Sequence, residues 1–146
     1  MTKREKIRLK FNGLCAYSGK PLGEDWQVDH IKSKVQHQYD TFKKGLNIVD
    51  ERAELNKIHH IDNLFPACRI VNHYKRSLDL EQFRSYMRSF HLRLAKLPKN
   101  TKVPRTQKRK EYMMKVAQVF DITPEKPFSG IFYFETVTPS DGGKIE

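Results

Sequence analysis

A long polar connection, residues 32–62, separates two short segments that have strand character. Residues 26–31 carry the β-branched and aromatic side chains typical of a strand, and residues 63–65 are a second candidate. A connection of this length in a small domain is usually functional or partly mobile. Within it, residues 50–58 have the composition of one or two helical turns. The chain must therefore build its core from segments on either side of this connection.

The segments before the connection are a helix and a turn. Residues 2–11 predict a short basic helix, which the Asn-Gly pair at 12–13 ends. Residues 16–23 are rich in turn formers and lead into the strand candidate at 26–31, so we expect a hairpin element here.

Three helices are expected after the connection. Pro66 suits the first turn of a helix through Cys68, Asn72 and Lys75. Asp79 is a plausible N-cap for the next helix. That helix has apolar residues at steps of three and four, which are Leu80, Phe83, Met87, Phe90 and Leu94. A third helix places Met113, Val116, Ala117 and Phe120 on one face.

The C-terminal third contains a basic stretch and a last strand candidate. Residues 96–110 are basic and contain proline, which predicts an exposed linker or an arm that contacts phosphate. Residues 131–137 are strand-like, and residues 138–146 have the composition of a frayed tail. We expect an α+β fold in which the C-terminal helix and strand occupy about residues 106–137.

Composition narrows the class of protein. The 146 residues suit one domain, and 28 Lys and Arg against 17 Asp and Glu give a net charge of +11. Such a field attracts polyanions, although a basic surface that only serves solubility is an equal alternative on charge alone. No apolar run approaches the roughly 20 residues of a membrane span, so we expect an intracellular, cytoplasmic protein without membrane contact. Two cysteines are too few for a disulfide scaffold.

Four polar residues have the chemistry that phosphodiester hydrolysis needs. The reaction requires a base for water, a cation for the charge on phosphate, and groups that hold both. Asp29 and His30 end a strand candidate, while Asn63 and Asn72 bring amide oxygens from the second strand and the helix. Taken singly, each residue is more simply explained as a surface turn or a strand edge. Oxygen ligands would favour magnesium or manganese over zinc.

The combined pattern resembles the HNH endonuclease family, in particular its small phage and prophage members. The matching stretches are KFNGLCAYSGKPL, WQVDHIKSK and DNLFPACRIVNHYKRSLDLEQFR, which together cover about residues 5–90. FYFE near the C-terminus also looks like the ending of some phage members. The resemblance implies a ββα-metal core within a single domain, residues 1–146. It also implies cleavage of DNA, with the duplex as the expected substrate, in genome packaging, mobility or defence.

The resemblance assigns a role to each matching position. His30 would be the general base and Asn63 the residue that orients it, while Asp29 and Asn72 would bind one Mg²⁺ or Mn²⁺ ion. Lys75 and Arg76 would contact phosphate. Outside the resemblance, the basic stretch supplies further candidates for contact with the nucleic-acid backbone, which are Lys102, Arg105, Lys108, Arg109 and Lys110. A solvated basic helix face is the alternative for Lys75 and Arg76. His73 stays open as the metal ligand in place of Asn72. His59 and His60, just before Asn63, stay open as further candidates.

The chain departs from the family pattern at the structural zinc. Two Cys-x-x-Cys pairs are usual there, but this chain has Cys15 with Ser18 and Cys68 with Val71. A hydroxyl and an isopropyl group do not replace thiolates, so we expect no structural zinc. Cys15 and Cys68 are expected to lie close together as reduced, buried thiols. Apolar packing around Leu14, Tyr17 and Val71 would then hold this part of the fold.

Two other classes of function remain as alternatives. The first is a basic nucleic-acid-binding module that keeps the fold without cutting, for which affinity falls steeply with salt and does not depend on Mg²⁺. The second is an RNA-directed protein that stacks bases on aromatic side chains. The candidates for stacking are Tyr17, Trp26, Tyr74 and Tyr86.

Overall fold

The structure is a computed structural model, and it describes residues 1–32, residue 45 and residues 56–138. This part of the chain contains helices and a two-stranded antiparallel sheet, which confirms the predicted α+β class. In chain order the elements are α1 (Lys3–Leu9), β1 (Gln27–His30), β2 (Leu64–Ala67), α2 (Arg69–Lys75), α3 (Leu80–Arg88), α4 (Phe90–Ala95) and α5 (Pro104–Val119). Two 3₁₀ helices, Ile61–Asn63 and Tyr133–Glu135, complete them. None of the helices in the described ranges is long and apolar enough to cross a membrane.

Helix α1 forms where the sequence predicts it. The Thr2 hydroxyl accepts a hydrogen bond from the backbone of Glu5 at 3.1 Å, and the Glu5 carboxylate accepts one from the backbone of Thr2. This capping box satisfies two of the free N–H groups at the helix start. The helix is followed by Asn12 and Gly13 at φ 54° and 81°, a left-handed conformation that no helix continues. Ile7 is buried and anchors the helix.

The sheet joins the two strand candidates that flank the long connection. Strand β1 pairs antiparallel with β2, and His30 lies opposite Leu64. The predicted hairpin around residues 16–31 is therefore wrong, because β1 pairs with a strand that follows the long connection. Only an isolated bridge, between Leu14 and Pro21, closes the turn before β1. Most of the connection, including residues 50–55 of the predicted helical turns, lies outside the described residues, whereas residues 56–58 are helical.

Pro66 lies in β2 and not in the first turn of a helix, which corrects the prediction. It pairs with Val28, and its carbonyl oxygen accepts a hydrogen bond from the Ala16 backbone at 2.9 Å, away from β1. A proline in an edge position of a sheet gives up no ladder hydrogen bond. Helix α2 begins three residues later, after Cys68.

The helix predicted from Asp79 to Leu94 is two helices. Asp79 does cap α3, because its carboxylate accepts from the Gln82 backbone at 2.8 Å and the Gln82 side chain accepts in return. At Ser89 the backbone leaves the helical region, with φ −98° and ψ 3°, and α4 starts at the next residue. The apolar periodicity is continuous across this break, so sequence alone gives no sign of it.

The basic linker is shorter than predicted. Helix α5 begins at Pro104, so the linker ends near residue 103 and the basic residues from 105 to 110 lie on a helix. Proline is well suited to this first position because its missing N–H would be unpaired there. The predicted apolar face is confirmed, since Met113, Val116 and Ala117 are buried.

The segment at 131–137 forms a 3₁₀ helix and not the expected C-terminal strand. The backbone N–H groups of Tyr133 and Phe134 donate to the carbonyl oxygens of Tyr17 and Ala16 at 3.0 and 2.7 Å. Phe132 is fully buried beside Tyr17, with ring centroids 5.4 Å apart. The same apolar core therefore includes residues beyond 90, the expected end of the nuclease core.

Candidate active site

Strand β1 presents the predicted site residues to two different sides. Asp29 contacts Lys75 of α2, and Gln27, two residues earlier, contacts Asn72 of the same helix. The imidazole of His30 instead contacts His59, in the turn that precedes β2. Successive side chains of a strand point to opposite faces, so the two neighbours Asp29 and His30 diverge.

A buried ion pair lies between β1 and α2. The Lys75 ammonium lies 3.3 and 3.2 Å from the two carboxylate oxygens of Asp29, and it donates to the carbonyl oxygen of His30 at 3.2 Å. The Tyr17 hydroxyl donates to the same carboxylate. Lys75 is fully buried and Asp29 is 5% exposed. Lys75 is thus not available for the phosphate contact predicted for it, because its ammonium group is buried and paired with Asp29.

Burial governs the protonation of this group. Burial raises the pKa of the Asp29 carboxyl above its ordinary value, while Lys75 and the Tyr17 hydroxyl oppose that rise. Burial, followed by the Asp29 charge, raises the pKa of Tyr17 well above its ordinary value. The phenol therefore keeps its proton and acts as a donor to Asp29.

The expected ligands do not fit a divalent ion as they are arranged. An ion at Asp29 would need the place that the Lys75 ammonium already fills. Asn72 is half-buried, and its amide nitrogen donates to the Gln27 side chain at 2.7 Å, which leaves only its oxygen as a donor to metal. Among the described residues, no three His, Cys, Asp or Glu side chains converge as they do around an ion. Mg²⁺ also keeps several waters, for which a buried carboxylate offers little room.

His30 forms a pair with a second histidine. Its Nε2 lies 3.3 Å from Nδ1 of His59, and the two rings meet edge to face at 5.3 Å between centroids. His30 is half-buried at the end of β1, and His59 is exposed. This contact restrains the orientation of the His30 ring, and a general base requires a defined orientation. His59 was one of the alternatives left open by the sequence.

Asn63 acts on the backbone next to His30. Its amide oxygen accepts from the Lys32 N–H at 2.9 Å, and its amide nitrogen donates to the carbonyl oxygens of Lys32 and Ile58 at 3.2 and 2.7 Å. The Asn63 carbonyl also accepts from Ile31 at 2.9 Å. These described bonds hold the chain that follows His30, so any orienting effect on the imidazole passes through the backbone.

A basic cleft beside His59 was missed by the sequence reading. It has a volume of about 500 Å³ and is lined by Lys3 and Lys6 of α1 together with His59 and His60. The Lys3 ammonium donates to the carbonyl oxygen of His59 at 2.7 Å, which fixes α1 against this turn. The available signal was the spacing of Lys3 and Lys6, since residues three apart share one face of a helix.

The other predicted phosphate contacts lie elsewhere. Helix α5 packs on α2 where the Tyr112 hydroxyl meets Nδ1 of His73 at 2.9 Å. Exposed basic residues lie before Tyr112 on α5 or in the linker, and these are Lys102, Arg105, Lys108 and Arg109. Lys110 is half-buried and donates to the Lys99 carbonyl oxygen at 2.7 Å. Arg76 is exposed just after α2.

The two cysteines lie together, as predicted. The Cys68 backbone donates to Sγ of Cys15 at 3.4 Å, and both thiols are free. Cys15 is fully buried but Cys68 is half-buried, so the expectation of two buried thiols holds for one of them. Val71 and Tyr17 are buried and Leu14 packs against the core, which confirms the predicted apolar packing.

The aromatic residues proposed for base stacking are largely in the core. Tyr17, Trp26 and Tyr74 are between 1% and 8% exposed. The ring of Trp26 is covered by the Arg4 guanidinium, 3.9 Å from its centroid. Tyr86 is exposed at 39%, but it stacks on Tyr74 at 5.2 Å and lies under Arg93. The expectation that these four rings stack on RNA bases is therefore not supported.

The chain matches no protein-family model, no curated protein and no solved structure. The HNH likeness accordingly depends on the motif residues themselves.

Proposed function

We propose that this protein hydrolyses the phosphodiester backbone of DNA, with His30 as the general base that takes a proton from water. The observation that carries the proposal is the pair of His30 with His59 beside a basic cleft. One imidazole nitrogen of His30 is engaged by His59, and the strand pair keeps the residue at a defined place. A base needs this restraint more than it needs a shifted pKa.

The cleft beside His59 offers a place for the phosphate. Lys3 and Lys6 provide positive charge there, and His59 lines the cleft while touching His30. A nucleic-acid backbone that lies along α1 would therefore bring a phosphate near the base. Positive charge at this point would stabilise the negative charge that develops on the phosphate oxygens during attack.

The order of β1, β2 and α2 supports an HNH-like reading. The ββα-metal core that this reading implies would use the two strands and the helix that carries Asn72. The requirement for Mg²⁺ or Mn²⁺ stays a prediction. The carboxylate of Asp29, the expected ligand, is paired with the Lys75 ammonium. Duplex DNA as substrate and a phage origin also stay predictions.

A second candidate is a basic nucleic-acid-binding module that does not cut. It is favoured by one observation, the buried ion pair that engages the expected metal ligand Asp29. In this case binding would depend on salt and not on divalent ions.

The test compares wild type, His30→Ala, His59→Ala and the control His91→Gln, whose position is on α4 away from the histidine pair. Each protein is incubated with supercoiled plasmid in Mg²⁺, in Mn²⁺ and with chelator. We expect wild type and the control to nick the plasmid, and His30→Ala to lose roughly 100-fold or more in rate. His59→Ala should lose less in rate, while wild type, His30→Ala and the control bind the plasmid equally.

Three outcomes would redirect the proposal. Equal inactivity of all four proteins, with plasmid still bound, would favour the binding module. Activity that survives in His30→Ala would contradict the assigned base. Activity that persists with chelator would show that the reaction does not need the divalent ion that the resemblance implies.

A further inference from the structure

The contact between Cys15 and Cys68 is separate from the histidine pair and has no role in the proposed hydrolysis. Cys15 lies in the turn before β1, and Cys68 is the N-cap residue of α2. The Cys68 backbone and side chain both hydrogen-bond to Cys15, although 53 positions separate the two residues. The chain has two cysteines, so each finds its only intramolecular thiol partner here.

The surroundings of the two sulfurs differ. Cys15 has no exposed surface, whereas Cys68 is partly exposed and its thiol lies 3.7 Å from the Pro21 carbonyl oxygen. Burial acts to raise the pKa of Cys15, but hydrogen bonds from Cys68 and then from Ser18 outweigh it and lower that pKa to about 6. The hydrogen bond to Cys15 and burial raise the pKa of Cys68. These opposite shifts favour thiolate character at Cys15 and the protonated thiol at Cys68.

The backbone around the pair is well held. The turn from Cys15 to Lys20 is closed by the Cys15 N–H, which donates to the Lys20 carbonyl oxygen at 2.8 Å. The next residue, Ala16, donates to Pro66 in β2 at 2.9 Å. The turn is therefore closed on itself, and its residue Ala16 is joined to the strand that leads into Cys68, which keeps the two cysteines together.

We propose that Cys15 and Cys68 are a modification site that takes an intramolecular disulfide when a peroxide oxidises the chain. The half-buried Cys68 sulfur, which a peroxide can reach, reacts first. Its thiol proton passes to Cys15, and the Cys68 sulfur forms a bond to one peroxide oxygen while the O–O bond breaks and one water leaves. The buried Cys15 sulfur then attacks the Cys68 sulfur, the S–O bond breaks, and a second water leaves. In total, two thiols and hydrogen peroxide become one disulfide and two waters.

The bond would join two parts of the fold that hydrogen bonds now hold together. It would tie the turn before β1 to the start of α2, the helix that carries Asn72 and Lys75. Closing a loop of this size restricts the unfolded chain, so the oxidised protein should be harder to unfold. This outcome does not depend on whether the protein cuts nucleic acid.

The test uses the full-length chain, reduced, freed of reductant and treated with stoichiometric hydrogen peroxide. The intact mass should fall by two hydrogen atoms, and both free thiols should disappear. A trypsin digest should join the peptides 11–32 and 58–69, which contain Cys15 and Cys68. The thermal midpoint should rise by on the order of 10 °C and return on reduction.

Cys68→Ser is the matched control, since it removes the exposed thiol and leaves Cys15 in place. Its mass should not change under the same treatment, because the remaining thiol is buried. Three results would overturn the proposal: a stable gain of oxygen at Cys68 of the wild type, a disulfide between two chains, or a tightly bound zinc ion that holds both sulfurs in the purified protein.

Discussion

Lys75 is the residue whose position differs most from what its sequence context indicates. A lysine three residues after Asn72 on a basic helix looks like a surface contact for phosphate. In the fold this position faces β1, and the side chain is fully buried against Asp29. A buried charge is stable only when it is paired, so the carboxylate and the ammonium depend on each other.

Replacing Lys75 with Met should destabilise the fold. The change keeps the side-chain length but leaves Asp29 buried without its cation, which should lower the free energy of unfolding by about 3 kcal/mol. Urea denaturation near neutral pH measures the difference. The double variant Lys75→Met/Asp29→Asn should recover much of the loss, because neither charge is then left alone.

The control for this prediction is Arg76→Met, at the exposed neighbouring position. It should change the free energy of unfolding by less than about 0.5 kcal/mol. Equal costs for the two single variants would mean that Lys75 is not held in a buried pair.

At the scale of elements, the C-terminal segment shows how tertiary contacts override a local preference. Residues 131–137 are aromatic and β-branched, as strands are, but in the described structure they pair with neither β1 nor β2. Instead, Arg84 of α3 binds the Glu135 carboxylate with bonds of 2.5 and 3.0 Å and the Gly130 carbonyl oxygen with one of 2.6 Å. The rings then fill the core beside Tyr17.

The Arg84–Glu135 pair should make stability depend on pH. Hydrogen bonds from Arg84 lower the pKa of Glu135 below its ordinary 4.5. A carboxyl with a lowered folded pKa contributes stability above its unfolded pKa and loses it as pH falls through the folded pKa. Wild type should therefore lose about 1 kcal/mol more than Glu135→Gln on acidification below about pH 4.5.

Denaturant unfolding at several pH values measures this difference. Glu125→Gln, at an exposed position of the same C-terminal region, is the control and should follow wild type. If Glu135→Gln shows the same acid loss as wild type, the pair does not anchor the segment.

At the scale of the whole molecule, two separate basic surfaces of the described residues contribute to the net charge of +11. One lies along α1 at the cleft with His59, and the other lies on the first half of α5, which packs on α2. The sequence pattern indicated only the second. Both can attract a polyanion, but only the first adjoins the proposed base.

Single charge removals should separate the two surfaces. Lys6→Gln and Lys108→Gln should each reduce the slope of log DNA affinity against log salt concentration by about 1, since each removes one phosphate contact. Only Lys6→Gln should also slow cleavage at saturating DNA, by about tenfold, because its charge lies at the reacting phosphate. Fluorescence anisotropy against salt and single-turnover cleavage measure the two effects. An equal slowing by both variants would contradict the placement of substrate along α1.

Several features of the fold could be predicted from sequence because their causes are local. The ends of α1, the cap at Asp79 and the buried face of α5 follow from hydrogen bonds and periodicities within a few residues. The strand at β1 and the closeness of Cys15 and Cys68 were also predictable, the latter from the resemblance to a family that holds a zinc ion at these positions. His30 could be singled out by its neighbours in the motif, although not its partner.

Tertiary structure alone decided the rest. The pairing of β1 with β2 across the connection, the burial of Lys75 against Asp29, and the turning of His30 toward His59 all join residues distant in the chain. Sequence determined where most of the helices form, since caps and apolar periodicity depend on near neighbours, whereas Pro66 and residues 131–137 departed from their local preference. Which face is buried, and which charge meets which partner, depended on how the segments pack, because burial and pairing energies arise only between elements that the fold brings together.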